Sequence, residues 1–186
     1  INAPLAVAEP DGNAAGLTEA VEEAFEDGYG VGTNTTAVVV LQGDRLVAES
    51  YAEGFGVDTP QRTWSVAKSL AGTVIGAAVY RGEAEVNAPA SIADWSRDGD
   101  PRAAITLDQL MRMASGLTND TAGNRTDALY FGGVGIDEQV ATWPLIAQPG
   151  SRFRYANNDI LLAVLSIETT FADHSPADLF RQLGMY

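Results

Sequence analysis

Residues 64–79 read Trp64-Ser65-Val66-Ala67-Lys68-Ser69-Leu70-Ala71-Gly72-Thr73-Val74-Ile75-Gly76-Ala77-Ala78-Val79. Lys68 is the one lysine among 11 Lys and Arg residues; the other ten cations are arginine. Arginine does not release its proton in a protein, whereas a lysine in apolar surroundings is shifted toward neutrality. The chain therefore uses an amine only where a proton acceptor is useful. Ser65 and Lys68 stand at i and i+3, on one face of a helix that starts at or near Ser65. A serine hydroxyl needs a base before it becomes a nucleophile, and Lys68 is in reach to serve. Thr63 or Ser65 is expected to cap the helix, and the Ser65 N–H to point at incoming negative charge. Gly72 and Gly76 continue the same face and would allow close approach of another element. The competing reading is a surface lysine whose stem lies along apolar neighbours.

A second constellation lies at residues 148–160, Gln148-Pro149-Gly150-Ser151-Arg152-Phe153-Arg154-Tyr155-Ala156-Asn157-Asn158-Asp159-Ile160. Pro149-Gly150 is a turn signal. Arg152 and Arg154 alternate with Phe153 and Tyr155 in a short extended run. Asn157, Asn158 and Asp159 then start a helix. Tyr155 and Asn157 thus fall at an extended-to-helix junction, where side chains can enter a cleft. A phenol gives and takes a proton, and an Asn amide both donates and accepts hydrogen bonds. Taken alone, the segment also reads as a packed Tyr and a capping Asn.

Ser65-x-x-Lys68, then Met113-Ala114-Ser115-Gly116-Leu117, then Pro149-Gly150 through Tyr155-Ala156-Asn157 resembles, in order and separation, the serine β-lactamase and penicillin-binding protein superfamily. The likeness runs from near residue 30 to the last residues and is greatest to the class C-like branch. That branch holds class C β-lactamases, family VIII-type esterases, D-amino-acid peptidases and 6-aminohexanoate-dimer hydrolases. The wording Trp64-Ser65-Val66-Ala67-Lys68-Ser69 looks especially like the last group. The resemblance implies that Ser65 is the acylated nucleophile. Lys68 would be the base, or the group that keeps Tyr155 ionised. Tyr155 would relay a proton to the leaving group, and Asn157 would bind Lys68 or the acyl side of the substrate. The Ser65 N–H would form half of an oxyanion hole. The implied fold class is α/β of the α+β type, an antiparallel sheet flanked by helices with a mostly helical region. The family's third motif is a Lys- or His-containing strand triplet that also gives the second oxyanion donor. No such triplet follows Tyr155, and no lysine follows Lys68. With Ile1 at one end and Leu183-Gly184-Met185-Tyr186 at the other, the sequence is expected to be part of a longer polypeptide, cut before the C-terminal strands. Loss of one oxyanion donor typically costs about two to three orders of magnitude in rate.

The chain has 186 residues, 46% of them hydrophobic, which suits one sizeable globular domain. It has no cysteine, so disulfides, thiolate metal sites and thiol nucleophiles are excluded. A single histidine, His174, rules out a histidine-built zinc site and would have to serve any Ser-His-Asp triad. No metal or cofactor is expected. The net charge of −14 opposes binding to nucleic acid or anionic membranes. Acid-rich, lysine-poor composition also occurs in salt-adapted proteins. No run is long and apolar enough to span a bilayer. The compartment stays open, periplasmic or secreted included. Asn34, Asn119 and Asn124 fit the Asn-x-Ser/Thr pattern.

The expected organisation is a loose lead-in over 1–15, a helix and β-hairpin over 16–60, and a helical region over 61–186. Leu17 to Phe25 has helical periodicity and ends at Gly28, Gly30 and Gly32. Thr36–Leu41 and Arg45–Tyr51 are strands joined by Gly43-Asp44. Thr106 caps a helix that runs to Met113. Residues 115–135 are long for a passive connection and read as a binding loop. Short helices are expected over Ile136–Trp143 and Pro176–Leu183, and an apolar one over Asn158–Thr169. Two strands make a marginal sheet, so the missing C-terminal part or another chain is expected to complete it. The expected function is a serine hydrolase acting through an acyl-enzyme on small esters or amides, linear amide oligomers included. The alternatives are a penicillin-binding or sensor-like module that is acylated without turnover, and an inactive fragment.

Overall fold

The computed structural model describes residues 5–26, 30–118, 132–135, 138 and 140–185. It separates into two compact units, Ile1–Arg62 and Thr63–Tyr186.

In the first unit, helix α1 (Ala14–Glu23) starts where the Asn13 side chain accepts the Gly16 N–H. Strands β1 (Ala37–Gln42) and β2 (Arg45–Tyr51) pair antiparallel through a turn at Gly43, whose φ of 60° suits glycine. Val40 pairs with Ala48 and Leu41 with Leu46, so Val47 is an extra residue in β2. This bulge explains why the consecutive residues Leu46 and Val47 are both buried, which strict alternation forbids. Val39 and Leu41 on β1 are exposed. The expected loose lead-in is in fact fastened to the hairpin. The Ala8 N–H donates to the Leu46 carbonyl, and Arg45 pairs with Asp11 at 2.6 Å.

In the second unit a 3₁₀ turn, Trp64–Val66, leads into α2 (Ala67–Tyr80). Helix α3 (Leu107–Met111) carries a reciprocal capping box: the Gln109 N–H donates to Thr106 Oγ1 and the Thr106 N–H to Gln109 Oε1. Helix α4 (Asn157–Leu165) packs on α2 and α3. Helix α5 (Pro176–Gln182) is capped by Ser175. Ile75, Ala78, Trp95, Ile105, Leu110 and Leu162 lie at the centre of the core. The buried Trp95 indole satisfies its N–H on the Ala141 carbonyl at 2.8 Å. Arg102 braces the same region, holding Asp100 through its fork and donating to the carbonyls of Ala141 and Trp143. Its guanidinium holds the Asp100 carboxyl down to about 2.

Three local expectations are corrected. Neither Thr63 nor Ser65 caps α2 by its side chain, because the chain enters through the 3₁₀ turn and the α-helix begins two residues after Ser65. Among the described residues, a Cβ at Gly72 or Gly76 would meet no atom within 4 Å, where close approach of another element was expected. The helix expected over 158–169 ends at Leu165, and a 3₁₀ turn over Glu168–Ala172 follows. Asn119, Asn124, most of the 115–135 loop and part of 136–143 lie outside the described residues; a 3₁₀ turn over Val140–Thr142 is within them.

Candidate active site

Ser65 sits in the middle of the 3₁₀ turn, directly after Trp64, whose φ is 46°. A left-handed tryptophan is uncommon and costs conformational energy. Ser65, next in the turn, is exposed. One helical step later, Lys68 in the first turn of α2 donates from Nζ to Ser65 Oγ at 2.9 Å. The i, i+3 relation read from the sequence is therefore a contact. Lys68 is half-buried, and its neighbours Trp64 and Val66 are exposed. The expected apolar wall around the amine is only partial.

Tyr155 comes from a distant part of the chain, yet its Oη lies 2.5 Å from Ser65 Oγ. Lys68 Nζ stands 4.9 Å from the centre of the Tyr155 ring. Hydrogen bonding from Lys68, then from Ser65, holds the phenol below its ordinary value, while partial burial opposes the shift. Ser65, Lys68 and Tyr155 thus form one cluster in which each hydroxyl is in reach of a proton carrier. Asn157 is the first residue of α4, two positions beyond Tyr155, and is half-buried.

The segment that carries Tyr155 is held by residues 113–116. Met113, with φ of 53°, accepts the Arg154 N–H on its carbonyl at 3.0 Å and the Ala156 N–H on Sδ at 3.5 Å. Ala114 accepts the Gly150 N–H, and Gly116 accepts the N–H groups of Ile146 and Ala147. These bonds hold the segment in the extended form that its alternating residues suggest.

His174 has another partner. Its Nδ1 is 2.7 Å from Glu83 Oε1, so the Ser-His-Asp alternative loses to Lys68 and Tyr155 as the groups around Ser65. One feature was missed from sequence. Ser115 and Asp159 are each 2% exposed, and Ser115 Oγ donates to Asp159 Oδ1 at 2.9 Å. Burial pushes the Asp159 carboxyl up to about 6 against the opposing pull of these bonds. An Asp in the first turn of a helix usually serves the helix dipole. Its place at the polar start of this helix, after Asn157 and Asn158, gave no signal of burial.

Residues 19–186 match the Beta-lactamase family. A 6-aminohexanoate-dimer hydrolase of Paenarthrobacter ureafaciens is 42% identical over 57 residues, 31% of this chain and 14% of that protein. A solved structure from Bacillus anthracis, provisionally named a 6-aminohexanoate-dimer hydrolase, shares the fold with a TM-score of 0.63 at 22% identity. That match covers 86% of this chain and 44% of the other, so the chain spans less than half the length of either relative. Among the described residues no helix is long and apolar enough to cross a membrane. With the match covering all but the first 18 residues and a solved relative sharing the fold, the chain belongs to the Beta-lactamase family.

Proposed function

We propose that this chain carries the nucleophile and proton relay of a serine hydrolase that works through an acyl-enzyme on small esters or amides, short linear amide oligomers among them. The observation that carries the proposal is that Ser65 Oγ lies within hydrogen-bonding distance of both Tyr155 Oη and Lys68 Nζ. The naming of the two relatives as 6-aminohexanoate-dimer hydrolases supports the amide substrates.

The Tyr155 phenolate, the form that the Lys68 contact favours, takes the Ser65 proton as Oγ attacks the carbonyl carbon of the substrate. The carbonyl oxygen becomes an oxyanion facing the Ser65 N–H. The tetrahedral intermediate collapses, the bond to the leaving group breaks, and Tyr155 returns the proton to the departing nitrogen or oxygen. Water then attacks the Ser65 ester with the same pair as base, releasing the acid and restoring the hydroxyl. Asn157 is placed to hold the acyl portion or Lys68.

Pre-steady-state hydrolysis of a chromogenic short-chain ester and of a linear amide dimer tests this on the whole protein. The expected trace is a burst followed by continuing turnover, both abolished in Ser65→Ala. Turnover retained in Ser65→Ala would move the nucleophile elsewhere. A burst without a steady state would favour a module that is acylated and stays acylated.

A further inference from the structure

We propose that Ser115 and Asp159 form a buried clasp that positions Tyr155 against Ser65, a role that rests on the serine-hydrolase reading above. The clasp has two strands of contact. Ser115 Oγ donates to Asp159 Oδ1 at 2.9 Å, and the Ser115 N–H to Oδ2 at 3.3 Å. The Asn158 amide adds a bond to Oδ1 at 3.4 Å, and Ser115 Oγ accepts the Leu117 N–H at 3.2 Å. Asn158, Ser115 and Asp159 are all buried, at 1%, 2% and 2% exposure.

Packing alone does not account for these residues. Taking a carboxylate out of water is costly, and an apolar side chain of similar volume would fill the site without that cost. The clasp instead fixes a relation between two segments. Residues 113–115 are tied to the Tyr155 segment on both sides of the tyrosine. Before it, the Arg154 N–H donates to the Met113 carbonyl. After it, Asp159 in the first turn of α4 grips Ser115. Tyr155 is suspended between the two ties, with the long Ala156 N–H to Met113 Sδ contact at 3.5 Å between it and the second. If that tie is released, α4 can shift along residues 113–117 and carry Tyr155 with it. A displacement of about 1 Å at a reacting group can cost about a hundredfold in rate. Asp159 and Ser115 are positioning residues, since neither touches Ser65.

The test compares Asp159→Ala, Asp159→Asn and Ser115→Ala in the whole protein, with two readouts. In steady-state kinetics, Asp159→Ala and Ser115→Ala are expected to lower kcat by about 10–100-fold with KM changed much less. Asp159→Asn keeps an Oδ1 acceptor for Ser115 and should recover most of the loss. The second readout needs no turnover. Phenolate absorbance of Tyr155, taken as the difference from Tyr155→Phe, is titrated with and without Asp159→Ala in a Ser65→Ala background. Loosening the clasp should raise the Tyr155 ionisation toward that of a free phenol, because Lys68 no longer faces it. Loss of the Asp159 charge by itself would move it the opposite way. Unchanged titration and unchanged kcat per folded molecule, with only a lower Tm, would overturn the proposal and leave a structural pair. Should Asp159→Ala not fold, Ser115→Ala and Asp159→Asn give the same decision. A hydrolase reading that fails through an active Ser65→Ala leaves the titration result standing on its own.

Discussion

At the scale of the residue, the cluster of Ser65, Lys68 and Tyr155 rests on charge type as well as on distance. Lys68 must supply a compact cation beside the Tyr155 oxygen and the Ser65 hydroxyl, and a planar guanidinium has neither that shape nor the ability to give up a proton. Lys68→Arg is therefore expected to lose nearly as much kcat as Lys68→Ala; full rescue by Arg would reduce Lys68 to a plain cation. Tyr155→Phe is expected to slow turnover by about 10²–10⁴-fold, the span of a lost general acid–base. Because Lys68 depresses the Tyr155 phenol, kcat/KM should rise with pH through a limb below the ordinary phenol range. That limb should vanish in Tyr155→Phe. Both ends of this cluster were legible in the sequence. Lys68 stands out as the one lysine, and Tyr155 sits where alternation gives way to a helix. The Ser115–Asp159 pair was not legible, because local patterning does not say that a carboxylate is buried. Its burial shows only in the tertiary structure, where Ser115 and Asn158 meet the carboxyl.

At the scale of the element, α4 and the 113–117 segment store the conditions for the site. The Asp159 carboxyl ionises at about 6 in the folded chain, above its ordinary value of 3.8. The folded state then holds a proton that the unfolded state has released between pH 4 and 6. Stability contributed by this group is present below that window and lost as pH rises through it. The neutral partners Ser115 and Asn158 face the carboxyl, and Arg152 and Arg154 line the small cavity beside it. Asp159→Asn should flatten the decline in denaturant stability across pH 4–6, by on the order of 2–3 kcal/mol. An unchanged slope would mean that Asp159 ionises as a solvated carboxyl does. Gly116 lies in the same segment, with φ of 78° and a position where a Cβ would lie 2.2 Å from the Ala147 carbonyl oxygen. Gly116→Ala should lower stability by at least about 1–3 kcal/mol, read as a fall in Tm. The elements themselves were legible where periodicity was strong, as in the hairpin and α2. The 3₁₀ entry to α2 was not. It depends on a left-handed Trp64, a conformation that no propensity for tryptophan suggests.

At the scale of the whole molecule, the order of three motifs carried more than any one of them. Each string taken singly has an ordinary structural explanation, whereas their spacing led to the family that the match over residues 19–186 shows. Composition speaks here too. With 25 acidic against 11 basic residues, the net charge of −14 repels itself in the compact state. Several of the few cations are already committed, Arg102 to Asp100 and Arg112 to Asp108 among them. Raising monovalent salt toward about 1 M shortens the screening length to about 3 Å. Tm is then expected to rise, since relief of net repulsion outweighs weakened surface pairs. A falling Tm would mean that the ion pairs carry more of the stability than the net charge removes.

The most direct measurement is the intact mass of the whole protein after incubation with a fluorophosphonate, beside its Ser65→Ala variant. An activated Ser65 predicts a single covalent adduct that maps to Ser65 and is absent from the variant. Equal labelling of both proteins, or none of either while the substrate esters are still turned over, would contradict the assignment of Ser65 as the nucleophile.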